Sequence, residues 1–392
     1  MNILEYIFWF GVLAVGYTYL GYGLIGWAII NLRGPYKHKR SPDPNVELPN
    51  LALVIPCFNE AEGILLKVAD CRQLNYPKER LRLIFVADGS TDGTEQILEA
   101  VSGIEVLFKS ERKGKAAAMN HAMEIVNEPL VVFSDANTQI SPDSLMHIVR
   151  HYQYPQTGGV ACEKRIIRKS SESASSAGEG IYWQYESFLK RCDAGLKTII
   201  GAAGELMSVR SSLYQPIPED TILDDFMLSM KIVEQGYIMA YEPNAFAEEY
   251  ASANIQEELK RKIRISAGGW QALFRLKHLL NPFRDFWVSF IFWSHRVMRW
   301  SLGPFFFFAL IPLNILLFRE ANIYMIFALL FLIYFILVLL GRLLANTSLR
   351  IQWLFVPYYF FIMNFAVIAG FLRFLNKKQS VNWEKSIRSV QS

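Results

Sequence analysis

Asp135 and Asn137 stand two residues apart at the end of the apolar run 130–133, within LVVFSDANT. A short apolar, largely β-branched run stopped by polar turn residues is the pattern of a strand buried on both faces. Side chains just past the carboxyl end of such a strand occupy the place where open parallel sheets bind ligands. Their oxygens suit one hard divalent cation of the kind that escorts phosphates, although Asp and Asn are also ordinary turn residues. Asp224 and Asp225, in LDDFML, open a predicted helix further on. One acid there is explained by the helix dipole. Two adjacent carboxylates can also raise the pKa of one of them enough to make it a general base.

Other polar residues gather at the same predicted sheet edge. Asp88 and Gly89 end the run LRLIFVADGS and are followed by Thr91, Asp92 and Gly93; Pro56, Asn59 and Glu60 end or follow LALVIP. Carboxylates in these places can accept hydrogen bonds from a nucleobase or ribose, or simply close tight turns. Lys115 follows Arg112 and Lys113 at the start of the next predicted helix. A helix N-terminus combined with a lysine is a phosphate-binding arrangement.

Alternating elements are needed to bring these positions together. Strands at 51–56, 81–88, 104–108 and 130–134 are separated by helices at 60–72, 92–101 and 115–126. That alternation predicts βαβ units and a parallel sheet. Beyond it, 170–178 (SSESASSAG) reads as a mobile surface loop, and 182–190 as an aromatic-rich helix. The stretch 198–209 contains GAAGELMSV, in which glycines permit close backbone approach. A helix over 220–235 is ended by Gly236, and 255–277 is rich in Lys and Arg.

The ends of the chain have a different composition. Of 392 residues, 52% are hydrophobic and mean hydropathy is +0.19, with the excess at the two ends. Segment 1–32 is long enough to cross a bilayer. Arg33, Lys37, Lys39 and Arg40 follow it and favour the cytosolic side. Residues 33–50 form a basic, proline-bearing linker, and 51–280 an α/β domain expected on the cytosolic side. Segment 281–300 mixes aromatics with Arg284, His295, Arg296 and Arg299, which predicts a helix lying along the membrane surface. Three apolar runs within 301–375 could each span, and 376–392 is a basic tail. Counting crossings puts that tail outside, whereas its lysines and arginines favour the inside. The net charge of +4 is too small to imply nucleic acid and fits a membrane surface instead. Cys57, Cys71, Cys162 and Cys192 have no CxxC pairing, which points to reduced thiols without a zinc site.

Taken in order, these motifs resemble the processive family 2 membrane glycosyltransferases that include cellulose, chitin, hyaluronan and poly-N-acetylglucosamine synthases. The resemblance covers about 51–273. It implies an α/β glycosyltransferase-A (Rossmann-like) cytosolic domain with flanking transmembrane α-helices, and a UDP-sugar donor whose diphosphate is bridged by Mg2+ or Mn2+. Carried over residue by residue, it places Pro56, Cys57, Asn59, Glu60, Asp88 and Gly89 at the nucleoside and Lys115 at the diphosphate. Asp135 and Asn137 fill the metal-binding Asp-x-Asp, with a neutral Asn in the last position. Gly204 and Glu205, in GAAGE, match a loop near the acceptor sugar. Asp225 matches the general base, with Asp224 beside it. Arg261 and Arg264 match the polar part of Gln-x-x-Arg-Trp; Gln is replaced by Arg261 and Trp by Ile265, with Trp270 close by. The implied reaction is inverting transfer to a growing polysaccharide exported through the chain's own helices, aided by a homo-oligomer or an export partner. Two other readings fit the same residues: transfer of one sugar to a membrane lipid, and an inactive nucleotide-binding scaffold.

Overall fold

The apolar runs that the pattern marks as strands do pair, and those of the first half pair in parallel. The computed structural model describes residues 2–36, 47–167, 174–252, 254–344 and 352–377. The chain begins with α1 (Ile3–Gly16) and α2 (Tyr22–Arg33), joined through a π-helical turn at Tyr17–Gly21 into one long apolar helix. Then come β1 (Leu51–Cys57), α3 (Ile64–Arg72), β2 (Leu81–Asp88), α4 (Thr94–Glu99), β3 (Glu105–Lys109), α5 (Lys115–Met123) and β4 (Leu130–Ser134). The second half of the domain contains β5 (Gln139–Ile140), α6 (Ser144–His151), β6 (Thr157–Ile167), α7 (Ala174–Leu196), β7 (Leu206–Arg210), α8 (Asp224–Glu234), β8 (Ile238–Tyr250) and α9 (Ile255–Arg275). It is followed by α10 (Phe286–Ile291), α11 (Met298–Trp300), α12 (Leu302–Leu317), α13 (Asn322–Leu344) and α14 (Gln352–Leu375).

The eight strands form one sheet in the order β3-β2-β1-β4-β7-β6-β8-β5. β3, β2, β1 and β4 run parallel, as the alternation with helices requires. β7 runs antiparallel to both β4 and β6, so the sheet is mixed rather than wholly parallel. The parallel pairing expected of the first four strands is present; the antiparallel β7 lies outside that stretch and reaches the sheet through α7 and a loop. Apolar side chains fill both faces, Leu51, Leu53 and Ile55 on one and Ala52 and Val54 on the other.

One loop expectation is corrected. Residues 174–178 begin the long helix α7, while 168–173 lie outside the described residues. A small residue is needed there: a Cβ at Gly178 would stand 2.6 Å from the Tyr359 ring on α14. The same closeness joins α14 to α9, where a Cβ at Gly370 would fall 2.4 Å from Ser266 Cβ and 2.8 Å from the Ile263 carbonyl oxygen. The α/β domain is thereby packed directly on an apolar helix.

Among the described residues three helices, Ile3–Arg33, Asn322–Leu344 and Leu354–Leu375, are long and apolar enough to cross a membrane. Phe286–Trp300 and Leu302–Leu317 meet at a 44° bend and would supply a fourth span if taken together. Of the basic tail, residues 378–392 lie outside the described residues, as do 37–46 of the linker.

Candidate active site

Strand ends and helix starts deliver the key side chains to one cavity of about 250 Å3. Asp135 enters from the turn after β4, Lys115 from the first position of α5, and Asp224 and Asp225 from the first turn of α8. Lys115 Nζ bonds Asp135 Oδ1 and lies 3.7 Å from Asp224 Oδ2. Burial works against its charge, yet Asp135, Asp224 and Asp225 together hold Lys115 protonated.

Asp88 is buried and shapes the Lys115 side of the cavity. Its Oδ1 accepts from the Lys113 N–H at 3.0 Å and its Oδ2 from the Gly114 N–H at 2.7 Å. It therefore fixes the loop leading into α5, where Gly114 has φ +94°. The remaining amides of the first turn of α5 keep the electropositive end that suits an anion. Pro56, Cys57 and Glu60 also line the cavity, and burial pushes the Cys57 thiol up to about 12, which leaves it un-ionised.

Two positions read as nucleoside contacts do not line the cavity. Asn59, at φ +52°, turns its Oδ1 to the Thr91 N–H at 2.8 Å and so closes the turn instead of lining the cavity. Gly89 is also absent from the cavity wall. It has φ +64°, and a Cβ there would strike the Arg112 backbone at 2.6 Å.

The turn after β4 rests on buried charges that pattern reading missed. Lys67, from α3, donates to the Thr138 carbonyl at 2.7 Å and to Ser134 Oγ at 3.2 Å. Lys164, an inward-pointing residue of β6, bridges Glu205 and Glu249. Glu249 Oε1 accepts from Asn137 Nδ2 at 3.3 Å, which among the described residues leaves Asn137 Oδ1 as an acceptor. A lysine at an inward strand position, as in ACEKRII, was the available signal for this cluster. Against the effect of burial, Lys164 holds Glu205 down at about 2.

Among the described residues, no three Asp, Glu, His or Cys side chains converge as a ready-made metal cage. The donors present nonetheless fit Mg2+ or Mn2+. Asp135 and Asn137 offer oxygens only, and such ions are commonly held by one or two side chains with phosphate oxygens and water completing the shell.

Asp225 has the environment of a general base. Burial and neighbouring Asp224 push its pKa up to about 7, against the pull of Lys115 and of the Phe226 N–H, which donates to Oδ1 at 2.7 Å. A base must be ionised to take a proton, so kcat/KM should rise with pH through the region of 7. Asp224→Asn removes a repelling charge and should move that limb to lower pH; a limb unmoved by this change would separate the pH dependence from the pair. Gly204 is packed tightly beside this group: a Cβ there would be 2.6 Å from Lys115 Nζ and 3.1 Å from Asp225 Oδ2. Gly204→Ala should therefore cut kcat about a hundredfold by displacing both groups, with unchanged thermal unfolding as the control.

The far side of the cavity is formed by α9, α7 and the segment ending in α11. Arg264 lines it without a hydrogen-bond or ion-pair partner among the described residues, and burial lowers its pKa. Arg261 is committed to Glu179 at 2.6 Å and Glu258 at 2.9 Å, which makes it a buried brace at the cavity wall. Trp270 is not brought to the site. Its ring packs on Phe371, with centroids 4.6 Å apart, and faces Phe305 and Phe274. The aromatic residues that do line the cavity are Phe58, Tyr182, Trp183, Phe226 and Trp300; Arg296 also lines it and pairs with Glu186 at 2.8 Å.

With this geometry in place, comparison with known proteins gives the class. Residues 52–213 match the family described as Glycosyl transferase family 2, and the sheet they contribute to is glycosyltransferase-A-like. The chain is 27% identical over 252 residues to poly-beta-1,6-N-acetyl-D-glucosamine synthase of Staphylococcus aureus, covering 61% of this chain and 60% of that one. It is 26% identical over 199 residues to beta-monoglucosyldiacylglycerol synthase of Nostoc sp., covering 47% and 41%. The chain thus spans less than two thirds of the length of either relative. Among solved structures, the mannosyltransferase PcManGT from Pyrobaculum calidifontis, in complex with GDP-Man and Mn2+, shares the fold with a TM-score of 0.72 at 20% identity. That match covers 96% of this chain and 100% of the other.

Proposed function

We propose that the chain transfers a sugar from a UDP-sugar, with inversion, to the growing end of a polysaccharide at the membrane surface. The convergence of Lys115, Asp135, Asp224 and Asp225 on one cavity carries this reading. Asp225 takes the proton from an acceptor hydroxyl, whose oxygen attacks the anomeric carbon from the face opposite the diphosphate. The bond from that carbon to the diphosphate oxygen breaks, and UDP leaves with the electron pair. Lys115 and the start of α5 meet the charge that builds on the departing diphosphate. Asp135 and Asn137 would hold a divalent cation, which when bound supplies further neutralisation of that charge. Arg264 faces the same anionic group from α9.

The catalytic domain is taken to be cytoplasmic, with the product leaving between the apolar helices packed against it. A second reading, transfer of one sugar to a membrane lipid, is favoured by the small number of helices able to span among the described residues, three or at most four. The inactive-scaffold reading has little support in a site that keeps a base poised near neutrality. Membranes containing the full chain, incubated with a panel of labelled UDP-sugars, test the proposal through product size. A polymer supports the first reading and a single-sugar lipid the second. UDP bound with no donor turned over would leave only the scaffold. EDTA should stop turnover and excess Mn2+ should restore it; activity indifferent to chelation would remove the metal from Asp135 and Asn137.

A further inference from the structure

The wall beside Asp225 is built around an indole, Trp300 at the end of RVMRW, that the sequence motifs leave unassigned. Trp300 ends the segment that approaches the domain along the apolar helices, and it lines the cavity. Its ring stands against Phe226, the residue after the base, with centroids 5.2 Å apart at 61°. Arg296, one turn earlier, lies 5.8 Å from the Trp300 ring and is anchored by Glu186 and by the Ile200 carbonyl at 3.0 Å.

The space for this ring is made by α9. A Cβ at Gly269 would lie 2.7 Å from Trp300 Cδ2, so position 269 must stay bare for the indole to fit. Gly268 does the same for the loop before the acids, where a Cβ would meet Leu223 Cγ at 2.6 Å. Ile265 lines the cavity and precedes Gly269 by one helical turn, on the same side of α9. An indole carried on α9 at 265 and the indole of Trp300 would thus serve adjacent parts of one wall.

Resting on the transferase reading above, we propose that Trp300 is the platform on which the acceptor's hexopyranose ring packs, placing its hydroxyl at Asp225. The apolar C–H face of a sugar ring matches an aromatic face, and a rigid indole gives contact area at little entropic cost. The ring belongs either to the end of a polysaccharide or to a glycolipid head group. Trp300 acts on the acceptor and leaves the nucleotide side untouched.

The test uses the full chain in nanodiscs and two probes, a β-1,6-linked N-acetylglucosamine tetrasaccharide and glucosyl diacylglycerol in mixed vesicles. UDP binding is the control for folding and for the donor side. Trp300→Ala should weaken binding of whichever probe the wild type takes by about tenfold, while UDP affinity stays within about twofold. Gly269→Ala should weaken it in the same direction, and Trp300→Phe should keep most of the affinity. Ile265→Trp added to Trp300→Ala should recover much of the loss, which a merely structural Trp300 would not allow. The proposal is overturned if the wild type binds neither probe, if Trp300→Ala binds as the wild type does, or if Trp300→Ala and Trp300→Phe both lose UDP in parallel. Probe binding that depends on Trp300, in a chain that releases no UDP from any donor, would refute the transferase reading and leave the platform standing.

Discussion

Asp225→Asn should bind UDP as well as the wild type and transfer about a thousandfold more slowly. General base catalysis contributes roughly two to four orders of magnitude, and Asn has nearly the same shape but no capacity to take the proton. The Phe226 N–H that donates to Asp225 Oδ1 can donate equally to an amide oxygen, so the first turn of α8 keeps its geometry. Removing the charge also relieves Asp224, whose Oδ2 is buried without a hydrogen bond, and stability should hold or rise slightly. The measurement is single-turnover transfer beside calorimetric UDP binding. Transfer within about tenfold of wild type would take the base role from Asp225.

Lys115→Met should lower kcat by two to three orders of magnitude, the usual order for removing one preorganised charge at a departing group. This loss differs in kind from that of Asp225→Asn, because UDP affinity should fall as well, by about tenfold or more. The methionine fills the aliphatic part of the site but leaves Asp135 without the ammonium that now holds it. Burial raises the pKa of Asp135 against the opposing pull of Lys115, so the variant's Asp135 should be harder to ionise. Binding of Mn2+ to the variant should consequently depend more steeply on pH than in the wild type. Paramagnetic resonance of Mn2+ with and without UDP reads both effects, and a variant with unaltered UDP affinity would place the diphosphate elsewhere.

Much of the site is legible because its residues sit where local patterns change. Asp135 and Asn137 stop an apolar strand, Lys115 starts a helix after Gly114, and Asp224 and Asp225 start another. Such junctions are visible without knowing what packs against them. Lys67, Lys164 and Glu249 lie inside elements, and only the sheet order shows that their charges meet beneath the turn. The antiparallel β7 escaped for the same reason, since strand direction depends on the route of the connection. Trp270 shows the limit of proximity in sequence. Five residues beyond Ile265 it lies about 140° around the helix, and Gly269 only about 40°. The tryptophan near the motif therefore faces the apolar helices, and the position on the right side is a glycine that receives Trp300.

The contact at Gly370 has a mechanical consequence. With α14 seated against the backbone of α9, and Tyr359 Oη donating to Glu258 at 3.2 Å, a tilt of the apolar helix cannot be absorbed at a compliant joint. It must reach the arginines on α9. Lipid thickness and lateral pressure then become variables of the reaction, and turnover should respond to acyl-chain length even with every substrate saturating.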